Sequence, residues 1–377
     1  MQIVHLMQDE KFTDGIVGFY NEFFNNGEHE IIYFSRNKGK TCIRRQFSIK
    51  QTDFNINEYK GSVASYLNKL KCDYIVLHSL FFTTKEKIEL LLNKSLMKKV
   101  VWIEWGADLY SWKQKSSFTG KIKNAVNYKL RESFENIVCI FPPDIDYFKN
   151  QFPDSNSNIY YAPYNGFPVD EEFSTYKNES RLNTHIKSIE PVYIQIGQNS
   201  LTTLNHIRVL KNLSKFKDEN IRIILPLSYG GTKEYADEVV DYAEREFPGK
   251  VIALRKFMPK EEYFKLIEKV EIAIFDTDRQ CALGNIERFI FRNVKVYLSQ
   301  NGVMYKYFFD LGVPVQKCES INELSFEEFI MQPTIKNREL FMKYIKSLSS
   351  IDQTVEKWTY IYESLRHSMN EKRKYSK

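Results

Sequence analysis

Short apolar runs alternate along the chain with stretches whose apolar residues recur at helical spacing. IVHLM (Ile3 to Met7) predicts a strand, DEKFTDG a loop pivoting on Gly15, IVGFYNEFF a helix and HEIIYFS a second strand. YIVLHS (Tyr74 to Ser79), TKEKIELLLN and KKVVWIEW repeat that order, a βαβ series that implies a parallel sheet. After VCIFPPDIDYFKNQFP and IYYAPYNGFPVDEEF the apolar period fades. The polar stretch from Tyr164 to Pro191 predicts an interdomain connection. A second series follows: PVYIQIG, a helix from about Asn205 to Lys215, IRIILPLS, a helix from Lys233 to Glu246, VIALRKF, a helix from Lys260 to Val270, EIAIFD and KVYLS.

The expected fold is α/β, two doubly wound domains facing a central cleft. The first spans 1–165, the connection 166–191 and the second 192–350, with a C-terminal helix and basic tail over 351–377. The end of that tail, RHSMNEKRKYSK, is expected to fray. A length of 377 residues exceeds one ordinary core and suits two domains.

Composition narrows the setting. No stretch approaches the roughly 18 uninterrupted apolar residues of a membrane span. MQIVHLMQDEKF has neither a basic leader nor a cleavage site, so a cytoplasmic protein is expected. Cys42, Cys72, Cys139, Cys281 and Cys318 are scattered without CxxC or Cys/His spacing, as reduced packing thiols with no structural zinc. The net charge of +6 is unevenly placed: from Lys113 to Arg131 there are basic residues and no acidic one, interleaved with Phe118, Ile122, Val126, Tyr128 and Leu130. This segment is either a solvated helix or a basic amphipathic element on a membrane surface. No nucleic-acid recognition motif accompanies it.

Neither GxGxxG nor GxxxxGK[ST] follows a predicted strand, which argues against a classical dehydrogenase and a P-loop kinase. Three strand-to-helix loops of the second half remain: IGQNSLTTLNH with Gly197, Asn199, Ser200, Thr202 and Thr203; PLSYGGTKEY with Tyr229, Gly230, Gly231 and Thr232; and FDTDRQCALGNIERF with Arg279, Gln280, Gly284 and Asn285. Helix amino termini carry unsatisfied N–H groups and partial positive charge, which suit a diphosphate. Capped glycine turns are also ordinary α/β structure. In the first half, WIEWGADLY sets Glu104 and Asp108 at or just past a strand's carboxyl end, where ligands bind in open α/β sheets.

WGADLY, GQNSLTTLNHI, PLSYGG and DRQCALGNI resemble the bacterial 4-acetamido-4,6-dideoxygalactose (Fuc4NAc) transferases, from the first strand to VPVQK. The resemblance implies a GT-B fold with two Rossmann-like domains, a dTDP-sugar donor on the second and a polyprenyl-diphosphate-linked acceptor on the first. It further implies inversion at the anomeric carbon, no metal and no cofactor. Cys281 and Ala282 depart from it, standing where a glutamine and a glycine are more usual, which bears on the sugar.

Such chemistry needs a base for the acceptor hydroxyl, drawn from Asp9, Asp14, His78, Glu104 and Asp108, and positive charge for the leaving diphosphate, from Arg279 and the helix start near Gly284. Asp14 stands first as base, with a helix N-cap as its other role. Asp108 is a supporting or acceptor-side group, or a turn residue bonding N–H groups. His78 is catalytic or a satisfied strand-end histidine, and Glu104 is a poor choice for an essential group because the resemblance allows a histidine in its place. Trp105 and Tyr110 form the acceptor-side rim. Asn205 is explained by capping, Tyr229 stacks on the base or packs, and Glu287 accepts from a ribose or complements the helix dipole. Three other functions stay open: a GT-B enzyme with another nucleotide sugar, a glycerol-phosphate polymerase, and a non-catalytic nucleotide-sugar-binding module.

Overall fold

The computed structural model describes residues 1–8, 13–36, 48–56, 58–110, 117–163, 190–331, 336, 338–348 and 350–374. The chain forms two compact units, Met1–Val169 with Ser350–Lys377, and Asp170–Ser349.

The first unit holds strands β1 (Ile3–Gln8), β2 (His29–Ser35), β3 (Gln51–Asn55), β4 (Tyr74–His78), β5 (Val100–Ile103), β6 (Asn136–Cys139) and β7 (Asn158–Tyr161). Its helices are α1 (Thr13–Phe23), α2 (Val63–Lys69), α3 (Thr84–Leu92), α4 (Lys94–Met97), α5 (Ala107–Tyr110), α6 (Phe118–Glu132) and α7 (Pro142–Gln151). The strands pair in parallel in the order β3-β2-β1-β4-β5-β6-β7. The chain therefore builds outward from β1 to β3, returns to β4 and builds the other way, which puts the topological switch between β1 and β4. Val4, Leu6, Ile75 and Leu77 feed one core; Ile3, Met7, Tyr74 and Val76 feed another on the opposite face. With both faces covered, the strands are apolar throughout instead of alternating.

The second unit runs β8 (Val192–Ile196), α8 (His206–Leu213), β9 (Ile221–Pro226), α9 (Lys233–Glu246), β10 (Val251–Leu254), α10 (Lys260–Ile267), β11 (Val270–Phe275), α11 (Leu283–Phe291), β12 (Lys295–Leu298), α12 (Val303–Asp310), β13 (Gln316–Lys317), α13 (Phe326–Ile330) and α14 (Arg338–Leu348). Its parallel order β10-β9-β8-β11-β12-β13 reverses between β8 and β11.

The last helix, α15 (Ile351–Lys374), belongs to the first unit. Trp358, Ile361, Tyr362 and Leu365 are buried in the core that α1 covers. The tail expected to fray is instead helical to Lys374, because its cations have partners: Arg366 with Glu28 at 2.7 Å, Lys372 with Glu135 at 2.7 Å and Arg373 with Asp73 at 2.9 Å.

Candidate functional site

In the first unit, α1 follows β1, so its amino terminus lies beside the switch, and His78 is the last residue of β4 on the other side of it. Asp14 is exposed in the first turn of α1. The helix starts at Thr13, so Asp14 is neither the loop residue nor the N-cap that the sequence suggests, and its carboxylate faces the positive end of the helix. Asp9 lies outside the described residues. His78 is buried, and its Nε2 is 3.0 Å from Nδ1 of His5.

WGADLY forms a bonded knot at the ends of β5 and β6. Asp108 accepts from the backbone N–H of Trp105 at 2.7 Å, that of Leu80 at 3.0 Å and the Trp102 indole at 2.8 Å. Its carbonyl oxygen accepts from the buried Arg131 guanidinium, which also donates to the Asn127 carbonyl at 2.7 Å. Burial raises the Asp108 carboxyl above its ordinary range, against the pull of these donors and of Arg131. Through these bonds Asp108 joins the ends of β4 and β5. Trp105 is half-buried and lies edge-on to Phe81.

Glu104, a poor candidate from sequence, is fully buried and joins two strand ends, accepting from Gly106 N–H at 2.6 Å and Ile140 N–H at 2.9 Å. Asp144, at the start of α7, is equally buried and accepts from the Tyr110 hydroxyl at 2.6 Å. The Glu104 and Asp144 carboxyls lie near enough to act on each other electrostatically. Burial pushes both above the carboxylate range, helped at Glu104 by the charges of Asp144 and Asp108 and at Asp144 by that of Asp108, so the pair retains a proton. Because the folded state binds that proton more tightly than the unfolded chain, stability falls as pH rises from the ordinary carboxylate range through the pair's own titration. Asp144→Asn supplies an amide N–H in the proton's place. Its melting temperature should fall less than that of wild type between pH 5 and 8; parallel curves would refute the shared proton.

In the second unit the loops after β8, β9 and β11 meet at the switch. Gly197, at φ +63°, donates to the Ile274 carbonyl at 2.9 Å, and a Cβ there would lie 2.8 Å from His206 Nε2. Ser200 donates through its N–H and its hydroxyl to the Tyr229 carbonyl at 2.8 and 2.9 Å, and its hydroxyl accepts from Gly231 N–H at 3.0 Å. A Cβ on Gly231 would overlap the Ser200 carbonyl at 1.8 Å, so only glycine lets the two backbones meet. Asn199 is buried and accepts from Leu201 N–H at 3.0 Å, while Thr202 and Thr203 are exposed in a short 3₁₀ turn. Asn205 makes no side-chain cap; its amide donates to the Asp276 carbonyl at 2.9 Å, which corrects the capping reading.

The third loop contains Asp276, held by two 2.6 Å bonds from Arg208, then half-buried Arg279 and buried Gln280. Gln198 donates to the Cys281 sulfur at 3.4 Å, and burial pushes that thiol up to about 11 although Arg279 pulls it down. Ala282, just before α11, has φ 61°, a left-handed backbone that favours glycine. Past it, Gly284 and Asn285 lie in the first turn of α11. Burial pushes the Tyr263 phenol to about 12, with the Gln195 and Asn285 side chains pulling it down; Tyr229, partly exposed, lies near enough to raise it further. Burial lifts the Glu287 carboxyl to about 7, and the Tyr344 hydroxyl donates to it at 3.3 Å. Sequence reasoning missed Tyr263, Tyr344 and the Arg208–Asp276 pair. Asp276 alone carried a signal, as an acid directly after an apolar strand.

Residues 14–335 match the family described as 4-alpha-L-fucosyltransferase, glycosyl transferase group 56. Among solved structures, the chain is similar to Anabaena HepE in complex with UDP and glucose, with a TM-score of 0.64 at 14% identity, covering 97% of this chain and 100% of that one. It is similar also to the Escherichia coli protein described as trehalose-6-phosphate bound with UDP-2-fluoro glucose (TM-score 0.61, 11% identity, 97% and 99% covered). A glycosyltransferase from Rickettsia africae aligns with a TM-score of 0.62 at 12% identity, covering 97% and 98%. These likenesses establish a GT-B-like fold.

Proposed function

The chain belongs to glycosyl transferase group 56, described as 4-alpha-L-fucosyltransferase, and from that premise we propose which substrates this GT-B glycosyltransferase takes. It moves Fuc4NAc or a closely similar deoxyamino sugar from a dTDP-sugar to a polyprenyl-diphosphate-linked glycan in surface polysaccharide synthesis, with inversion and without a metal or cofactor. The observation that carries the donor side is the meeting of the loops after β8, β9 and β11 at the switch of the second unit, with Gly197 in the first and Gly230 and Gly231 in the second. The amino terminus of α11 has no side-chain cap, so its N–H groups and Arg279 receive the departing diphosphate. Tyr229 stacks on the base and Glu287 accepts from a ribose hydroxyl. Asp14 takes the acceptor proton, on a side rimmed by Trp105 and Tyr110.

The test is to incubate the protein with dTDP-Fuc4NAc and a short-chain polyprenyl-diphosphate glycan and follow product mass, beside UDP- and GDP-sugars. One added sugar from the dTDP donor is expected; turnover with a UDP-sugar alone would refute the donor. Activity should persist in excess EDTA. Arg279→Ala should raise the barrier by about 2 to 4 kcal/mol with the fold retained. Loss of activity on chelation, restored by magnesium, would sink the metal-free reading.

The membrane partner rests on α6. Among the described residues no helix is long and apolar enough to cross a membrane. Within the basic segment, residues 113–116 lie outside the described residues, and Arg131 is buried against Asp108, so it is not a surface cation. Phe118 is 79% exposed and Ile122 48%, between exposed Lys121 and Lys123. On the adjacent α3, whose Lys87 donates to Asn127 of α6 at 2.9 Å, Leu92 is 79% exposed. Apolar tips framed by lysines suit the cytoplasmic face of an anionic bilayer. Lys121→Gln with Lys123→Gln should weaken sedimentation with anionic vesicles at low salt and slow transfer to long-chain acceptors, sparing a water-soluble one. Equal losses on both acceptors would move the segment into the catalytic site.

A further inference from the structure

Three buried histidines lie in the first unit: His29 begins β2, His5 is inside β1 and His78 ends β4. The parallel register sets His29 beside Ile3 and Val76 beside His5, so the rings run across the sheet from strand starts towards strand ends. His78 Nε2 and His5 Nδ1 are 3.0 Å apart, and His5 Nε2 and His29 Nδ1 are 2.9 Å apart. A neutral imidazole has one N–H and one acceptor nitrogen. Both bonds are therefore made together only when all three rings carry hydrogen on Nε2, or all three on Nδ1. The chain has two states, exchanged by one proton entering at one end and one leaving at the other.

We propose that His78, His5 and His29 form a relay that carries away the proton released from the acceptor hydroxyl during glycosyl transfer. This rests on the reading above of the first unit as the acceptor side. In the transfer, the acceptor O–H bond breaks and its oxygen bonds the anomeric carbon. The bond from that carbon to the diphosphate breaks, and its electron pair leaves with the diphosphate. The proton removed by the base enters at His78 Nδ1; the Nε2 proton of His78 moves to His5 Nδ1, that of His5 moves to His29 Nδ1, and that of His29 passes to water. No group is oxidised or reduced.

The surroundings suit a neutral wire. Burial holds all three rings below the ordinary imidazole range, so no resting charge blocks it. The aromatic neighbours include Tyr20 of α1, its ring 4.3 Å from that of His5, Tyr362 of α15, 4.9 Å from His29, and Phe24, 5.7 Å from His29. Their hydroxyls bond each other at 2.7 Å, and burial keeps Tyr20 protonated. Charged groups collect at the outer end, where Glu28, the amino terminus and Arg366 act on His29. At the inner end, Ser79 follows His78 with φ 77° and a buried hydroxyl that has no partner among the described residues. Strain and an orphaned polar group together are features of ligand sites. His5 and His29 are positioning residues, acting through His78.

Long-range proton–nitrogen spectra of histidine-labelled protein should find three neutral rings sharing one tautomer at pH 7. A charged ring, or one in the opposite tautomer, overturns the relay without reference to activity. In turnover, His5→Leu should lower kcat by about tenfold or more at unchanged KM. It should also convert a bowed dependence of rate on deuterium fraction, the mark of several protons in motion, into a straight one. If His5→Leu does not fold, His29→Phe at the outer end serves the same comparison. A folded variant with the wild-type rate and isotope effect overturns the relay; absence of transfer by wild type with every donor defeats the substrate reading instead.

Discussion

Asp14→Asn should melt within a few degrees of wild type, bind donor almost normally and turn over at least about a hundredfold more slowly. Asp14 is exposed in the first turn of α1, with no burial to make its replacement disruptive. The lost charge removes a favourable interaction with the helix amino terminus of about 0.3 to 1 kcal/mol, a shift of a few degrees at most. A carboxylate that accepts a proton in the transition state has no substitute in a neutral amide, and general-base work is worth roughly 100 to 10,000-fold. Single-turnover rates with saturating donor make the comparison. If Asp14→Asn retains most activity while Asp108→Asn is folded and inactive, the base is Asp108.

Asp108→Ala should lower unfolding free energy by on the order of 3 to 5 kcal/mol. The change strands two backbone N–H groups and the Trp102 indole N–H, with Leu80 and Trp102 buried and Trp105 half-buried. Urea unfolding should show an earlier midpoint at unchanged slope. Asp108→Asn keeps one acceptor oxygen and should be intermediate. An alanine variant within about 1 kcal/mol of wild type would mean that the bonds around Asp108 contribute little net stability.

The alternation of apolar runs was legible because buried parallel strands are apolar on both faces, so IVHLM, YIVLH and EIAIF announce themselves. β3 and α2 were not, since edge position leaves QTDFN polar and a seven-residue helix has too few turns to show a period. Arg131 resembled a solvated cation of α6, and only the carbonyl of Asp108, 23 residues earlier, explains why it faces inward. Glu104 looked dispensable because its value lies in holding the N–H groups of Gly106 and Ile140 together, neighbours fixed by the pairing of β5 with β6. His5 and His78 are 73 residues apart and meet only once β1 and β4 are in register. Charge and hydropathy along a chain report on neighbours in sequence; buried polar groups answer to neighbours in space.

The return of α15 to the first unit has a consequence for synthesis. Trp358, Ile361, Tyr362 and Leu365 complete a core that Ile3, Ile16 and Tyr20 begin, so that earlier-made core cannot close until α15 has been synthesised. Asp170–Ser349 emerges whole while that earlier sheet still lacks its last helix. The nascent amino-terminal half thus waits with an open apolar face around His5 and Tyr20, the state in which a chaperone would hold it, and a stop codon shortly before Ile351 would leave it in that state permanently.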